Sequence, residues 1–369
     1  MRRDHIDWLR NIGILFLFPF HTSRVFNDLE SFYVKGDVNA PATLLVDLSY
    51  WFMPLLFLLA GMSSLYALRQ RPARTYAGER FSRLLVPFVF GVLVVVPPQA
   101  YYAMRFHLGY QGGYGEFLWS YFTDFSGWSE YAGGISPAHL WFIAFLFVIS
   151  MALLPLMRKV LASGYSPVWM RRRFAILLPF APVAALSLLP DVAGKNILVF
   201  AAYFLLGFLI ATDDAIGDLI EEHRRTYLVA ALVTAAAVLA QIHVLGIRSG
   251  GPAHLLEHLA CWPALLAMLG YAKRYLSRRS RLLAYFTPAA FPVYVLHQTY
   301  LVAVAYYVVQ VTDRGAVPFT LIMVVSFALS LATYELIRRC APARAAFGLP
   351  RLRGGPAPAA DSAAGSGAR

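Results

Sequence analysis

Three polar residues share one face of the first apolar stretch of the chain. Asp7 and Arg10 are three residues apart, a spacing that brings side chains together on a helix. His21 lies eleven residues beyond Arg10. Eleven helical steps return it to within about 20° of Arg10, about 16 Å further along the axis. One helix face would then carry an acid–base pair near its start and an imidazole deep in its apolar part. A neutral imidazole accepts a proton near neutral pH, so the chemistry indicated is general-base catalysis. A histidine hydrogen-bonded within a helix interface would leave the same stripe, and spacing alone leaves both readings open.

Further on, Arg80 and Arg83 stand three apart before Pro87. Paired guanidiniums suit phosphate groups, although a basic anchor beside an apolar span reads identically. Tyr294 and His297 share a helix face, and His139 and Trp141 open another apolar run. Residues His254, Glu257 and His258 match an inverted zincin pattern, in which two histidines hold zinc and the glutamate acts as base. No acidic third ligand follows on a later segment, so no metal is expected, and these three are read as candidates for lining a cavity. Walker, dinucleotide-fingerprint and Gly-x-Ser-x-Gly patterns are missing from the sequence.

What positions such residues is set by composition. The 369 residues are 59% hydrophobic and 14% charged, with mean hydropathy +0.58. A soluble domain has about 25% charged residues, and its surface limits how much apolar area it can bury. The bilayer is the alternative solvent. Stretches of about 20 apolar residues fall near 8–26, 44–68, 84–104, 138–156, 174–189, 197–211, 227–245, 255–271, 282–309 and 317–337. The fold expected is therefore an all-α integral membrane protein of about ten transmembrane helices. The fifth stretch, with Pro179 and Pro182, and the short sixth are the weakest. Taking the N-terminus as cytoplasmic, 26 of the 32 Lys and Arg fall in cytoplasmic segments. That asymmetry fits the positive-inside rule and places both termini in the cytoplasm. Topology thus accounts for the net charge of +12, and nucleic-acid binding is disfavoured. Polar residues at bilayer depth point to function by default.

The first span, with Pro19 and His21 and no small-residue cleavage site after it, reads as a retained helix rather than a signal peptide. Cys261 and Cys340 lie within or at the end of apolar runs, which argues against a structural disulfide. An outer loop near 105–137 is rich in glycine and aromatics. Its Trp119 and Trp128 are either interfacial anchors or contacts for an acceptor. Residues 341–369 read as a disordered cytoplasmic tail after a transmembrane domain at 1–340.

The run from Asp7-Trp8-Leu9-Arg10 to His21 resembles the first-helix signature of the membrane acyltransferase family 3. Arg80-Phe81-Ser82-Arg83 with Pro87 is similar to that family's cytoplasmic Arg-x-x-Arg motif. His139-Leu140-Trp141-Phe142, Tyr294-Val295-Leu296-His297 and Phe57-Leu58-Leu59-Ala60-Gly61 resemble its further landmarks. The resemblance spans about residues 4 to 340 and looks closest to the glucans biosynthesis protein C branch, which succinylates periplasmic glucans. It implies an acyl-coenzyme A donor on the cytoplasmic side, with no bound cofactor. It also implies a carbohydrate hydroxyl of the cell envelope as acceptor, in a multi-pass protein of the bacterial inner membrane. It assigns His21 as base or acyl carrier, and Arg10, Arg80 and Arg83 to binding the donor's phosphates or positioning its carbonyl; Asp7 and Arg10, on the same helix face, join His21 as catalytic candidates, with Arg80 and Arg83 as donor-binding ones. The soluble esterase-like domain of some relatives has no counterpart here, which leaves room for a periplasmic partner protein. A secondary transporter or exporter is the rival class, since it too buries polar residues in helices.

Overall fold

The structure describes residues 4–29, 32–124, 133–192, 194–248, 250–312 and 316–350, and of Pro252 the backbone alone. Trp128 and the tail from residue 351 on lie outside them. In this computed structural model the described residues form helices, with one isolated bridge between Val192 and Lys195 and no strand.

The helices are α1 Asp4–Phe26, α2 Ala40–Asp47, α3 Phe52–Gln70, α4 Ala73–Arg80, α5 Val86–Phe90, α6 Pro97–His107, α7 Tyr114–Thr123, α8 Trp141–Ala152 and α9 Leu154–Ser163. There follow α10 Phe180–Leu186, α11 Ile197–Ile210, α12 Asp214–Glu222, α13 Arg224–His243, α14 Gly251–Tyr275, α15 Arg281–Val311, α16 Ala316–Ile337 and α17 Ala341–Ala346. Starts follow capping chemistry: Asn39, Asn196 and Ser280 each accept backbone N–H groups at the first turns of α2, α11 and α15. α9 stops at Gly164, whose φ of 64° suits a residue without Cβ.

Among the described residues, six helical stretches are long and apolar enough to cross a bilayer: Ala40–Gln70, Ala73–His107, Arg224–His243, Ala253–Tyr275, Arg281–Val311 and Ala316–Ile337. The count reaches eight if two bent pairs each cross as one. These are α8 with α9, bent by 48°, and α11 with α12, bent by 101°. Two of the ten expected spans differ. α1 has 23 residues, but its polar stripe dilutes its apolar residues. Stretch 174–189 breaks at its prolines into a 3-10 turn, Ala175–Leu177, and the seven-residue α10.

α1 is the central element and packs against α2, α3, α14, α15 and α16. Its imidazole is thereby held inside the bundle. α3 and α11 approach closely because Gly61 faces the Phe204 carbonyl and Gly207 faces the Leu58 carbonyl, with no room for a Cβ at either.

Polar contacts between loops sort into two ends. Trp8 Nε1 donates to Arg278 O (3.1 Å), Arg69 to Thr212 O (3.0 Å), and Arg171 pairs with Asp213 (2.6 Å). All of these join segments expected on the cytoplasmic side. Arg248 pairs with Asp28 (2.8 Å) and Asp47 (3.2 Å), and a His107 ring nitrogen donates to Phe32 O (2.7 Å). These join segments expected outside.

Candidate functional site

α1 brings His21 to the wall of a cavity of about 830 Å³ at the end of the bundle expected to face outward. That volume lies in the range of small-molecule sites. Arg24, Asp47, His139, Trp141, Lys195 and Glu257 are among the other residues that line it. His297, fully buried on α15, lies behind His21 with ring centroids 5.1 Å apart. His139 closes a triangle, its ring centroid 5.0 Å from that of His297. Three histidines from distant parts of the sequence therefore meet.

Their hydrogen bonds distinguish them. A carbonyl oxygen only accepts, so the ring nitrogen beside it must carry the proton. His139 Nε2 donates to Val295 O (2.9 Å), and its Nδ1 accepts from Gln99 Nε2 (3.3 Å). Both its nitrogens are committed. His297 Nδ1 donates to Tyr294 O (2.5 Å), which leaves Nε2 as a bare acceptor, buried and without a partner among the described residues. His21 Nδ1 is likewise buried and without a partner, and neither of its nitrogens bonds to a described residue. Of the three, only His21 bonds through neither ring nitrogen to a described residue.

A buried amide network fixes the surroundings. Gln99 also donates to Thr299 Oγ1 (2.8 Å) and accepts from Gln298 Nε2 (3.1 Å). Thr299 in turn donates to Val95 O (2.6 Å). That carbonyl is open because, past the π-helical turn Gly91–Val95, the N–H of Gln99 donates to Val96 O (2.9 Å) instead, and Pro98 has no N–H to offer. Tyr121 reaches another carbonyl of the same turn, Val92 O, at 3.0 Å. Tyr294 donates to His139 O (2.5 Å), so α15 positions both the histidine it carries and the one it faces. Ala138, with a φ of 46°, sets the tight turn that aims His139 inward.

The arginines gather elsewhere. Arg10 Nη1 pairs with Asp7 (2.9 Å) and Nη2 donates to Ser63 Oγ (2.7 Å). Arg80 Nη2 donates to the adjacent Ser64 Oγ (3.0 Å) and stacks 4.6 Å from the Tyr76 ring. Both serines donate their own protons to the preceding helical turn, at Leu59 O and Ala60 O, and so are left as acceptors. Arg10 and Arg80 thus converge on α3, at the opposite end of α1 from His21, and neither lines the outer cavity. Arg83 is exposed on the π-helical turn Phe81–Leu85 and makes none of these contacts.

The zincin-like residues do not converge on one point. His254 is exposed and 3.9 Å from Glu257, whereas His258 bonds to Tyr203 (3.3 Å). Among the described residues no three metal-binding side chains cluster. Glu257 lines the cavity, and His254 and His258 do not. Trp119 is 77% exposed and also outside the lining, although Ile135, Ser136 and Pro137 at the far end of the same loop contribute to it.

Sequence reasoning overlooked Gln99, Gln298 and Thr299, and the cations Arg24 and Lys195. A lone amide after a proline pair in an apolar run, and two polar residues directly after His297, were available signals.

Residues 3–335 match the model of a protein family described as an acyltransferase domain. No match was found among curated proteins or among solved structures.

Proposed function

Because the chain belongs to acyltransferase family 3 and is built of membrane-length apolar helices, we propose that it moves an acyl group from an acyl-coenzyme A donor to a hydroxyl of a cell-envelope carbohydrate. The observation that carries this reading is the uncommitted imidazole of His21 on the wall of the outer cavity. In the proposed step His21 takes the proton of the acceptor hydroxyl as that oxygen attacks the thioester carbonyl. The new C–O bond forms, the C–S bond breaks, and the coenzyme A thiolate leaves with the electron pair and collects a proton. His297 sits where its bare Nε2 can accept from His21 Nδ1–H, directly after a small ring rotation or through one water. That bond would hold the His21 proton on Nδ1 and leave Nε2 as the base.

The donor enters from the other end of the bundle. Arg10 and Arg80, braced on Ser63 and Ser64, suit the phosphates of coenzyme A, with Arg83 at the exposed approach and Asp7 orienting Arg10. The outer cavity takes the acceptor, with Trp141 as an aromatic platform for a sugar. The protein then lies in the bacterial inner membrane with both termini cytoplasmic. The motifs' resemblance to the glucans biosynthesis protein C branch favours a periplasmic glucan and a succinyl group.

His21→Ala in purified protein, given labelled acyl-coenzyme A and candidate glycans, tests this. Loss of transfer by about 10²–10⁴-fold with an unchanged melting profile is expected. Transfer at the wild-type rate by a folded variant would remove His21 from the mechanism. A label retained on His21 would replace direct transfer by an acyl-histidine route. Substrate counterflow without any ester product would point to a transporter.

A further inference from the structure

Lys195 is the cavity's odd cation. It sits in the turn before α11, where its backbone exchanges hydrogen bonds with Val192 at 3.0 and 3.1 Å. Asn196 then caps α11, with its amide donating to Leu186 O (2.8 Å) and Leu189 O (3.0 Å). Both ends of this turn are therefore pinned, and the lysine enters the cavity from a fixed point. Its ammonium rests 5.1 Å from the ring centroid of Trp141.

No carboxylate among the described residues lies within ion-pair distance of that ammonium. Of the cavity's own acids, Asp47 is engaged by His243 (2.9 Å) and Arg248 (3.2 Å), and Glu257 lies 3.9 Å from His254. Arg24 lines the same wall. Burial lowers the Lys195 pKa below its usual range, the nearby Arg24 lowers it further, and Asp191 offsets this only in part. An anion at that ammonium would offset the burial, because it restores a partner to a desolvated charge. Trp141, Phe145, Tyr50 and Phe52 furnish the remaining walls. Such walls suit the methylene stem of an organic acid better than a bare inorganic ion.

We propose that Lys195, with Arg24 beside it, forms an anion site next to His21 that receives a carboxylate carried by one of the two reactants. This rests on acyl transfer occurring at His21. The carboxylate is either the far end of a dicarboxylic acyl group or an acidic group on the acceptor sugar.

Binding and turnover separate the possibilities. In purified full-length protein, succinate at constant ionic strength is expected to raise the melting temperature of the wild type and of His21→Ala. It is expected to leave Lys195→Met unmoved, and neutral succinamide should leave all three unmoved. Since this readout needs no catalysis, it stands or falls separately from the role of His21. In turnover, Lys195→Met is compared with the wild type using succinyl- or butyryl-coenzyme A and an acidic or a neutral acceptor sugar. A charge-assisted hydrogen bond corresponds to about a 10- to 100-fold loss in kcat/KM. A loss confined to succinyl-coenzyme A places the carboxylate on the donor, and one confined to the acidic sugar places it on the acceptor. An equal loss for every pair, no loss for any, or stabilisation of Lys195→Met by succinate equal to that of the wild type would overturn the site.

Discussion

The proposed chemistry rests on how three imidazoles divide a small set of hydrogen-bond partners. His139 spends both nitrogens on the scaffold, His297 spends one, and His21 spends none on any described residue. Buried polar groups without partners are uncommon and call for an explanation. Here the two orphaned nitrogens belong to adjacent rings, and one of them can only accept. If His297 holds the His21 tautomer, His297→Leu should lower kcat by about 10- to 100-fold and leave donor KM near the wild-type value. His297→Gln, which retains an acceptor, should recover a substantial part. Nitrogen-15 solid-state spectra of the histidines would show the His21 proton leaving Nδ1 in His297→Leu alone. An unchanged His21 tautomer in that variant would make His297 a packing residue. In sequence, His21 and His297 were legible as deep polar residues. Their adjacency was not, since 276 positions separate them.

At the scale of elements, irregular backbone does the positioning. The π-helical turn Gly91–Val95 releases carbonyls that Thr299 and Tyr121 occupy, which ties the third apolar stretch to α15 and to the outer loop. Periodicity marks that stretch as one span, but the bulge depends on the tertiary partners that satisfy it. Close glycine contacts join α3, which carries Ser63 and Ser64, to α11. Gly61→Ala or Gly207→Ala would push a Cβ into a facing carbonyl and should cost about 1–3 kcal/mol, read as a lower melting temperature in detergent. The bend between α11 and α12 has its own tie. Asp213 caps α12 at Ala215 N (3.0 Å), accepts from Ser166 Oγ (2.7 Å) and binds Arg171. Burial raises its pKa, yet these hydrogen bonds outweigh burial and hold the carboxyl below its usual range. A lowered carboxyl pKa contributes stability that is present above pH 4 or so and disappears as pH falls through the folded value. Asp213→Ala should therefore cost about 1–2 kcal/mol at neutral pH and flatten the acid limb of the stability profile below pH 4. An acid limb identical to that of the wild type would show that Asp213 carries none of it.

For the whole molecule, the polar contacts between loops keep the two ends apart, as the alternation of basic residues does. Gly78 and Gly113 each face open space, so a cysteine fits at either position. In a Cys340→Ser background, where the remaining Cys261 is buried, an impermeant maleimide applied to spheroplasts should label Gly113→Cys and spare Gly78→Cys. The reverse pattern would invert the orientation. Equal labelling of both in intact spheroplasts would place the two loops on one side and remove a crossing.

What the sequence determined by itself is what a single helix or a single composition can encode. The apolar content demands a bilayer, the alternation of basic residues sets the expected orientation, and the stripe from Asp7 to His21 follows from helical period alone. The helix-end pairing of Arg10 with Asp7 is local for the same reason. Only the tertiary structure decided which polar residues meet. It seated Arg10 and Arg80 on the serines of α3 and gathered the histidines at the other end of α1, and it left Arg83 exposed and His254 and His258 outside the cavity lining. It also placed Lys195 on the cavity that His21 lines, with no ion-pair partner among the described residues. Partner choice among buried polar groups depends on which helices are adjacent, and adjacency is set by packing over hundreds of residues, which no local spacing records.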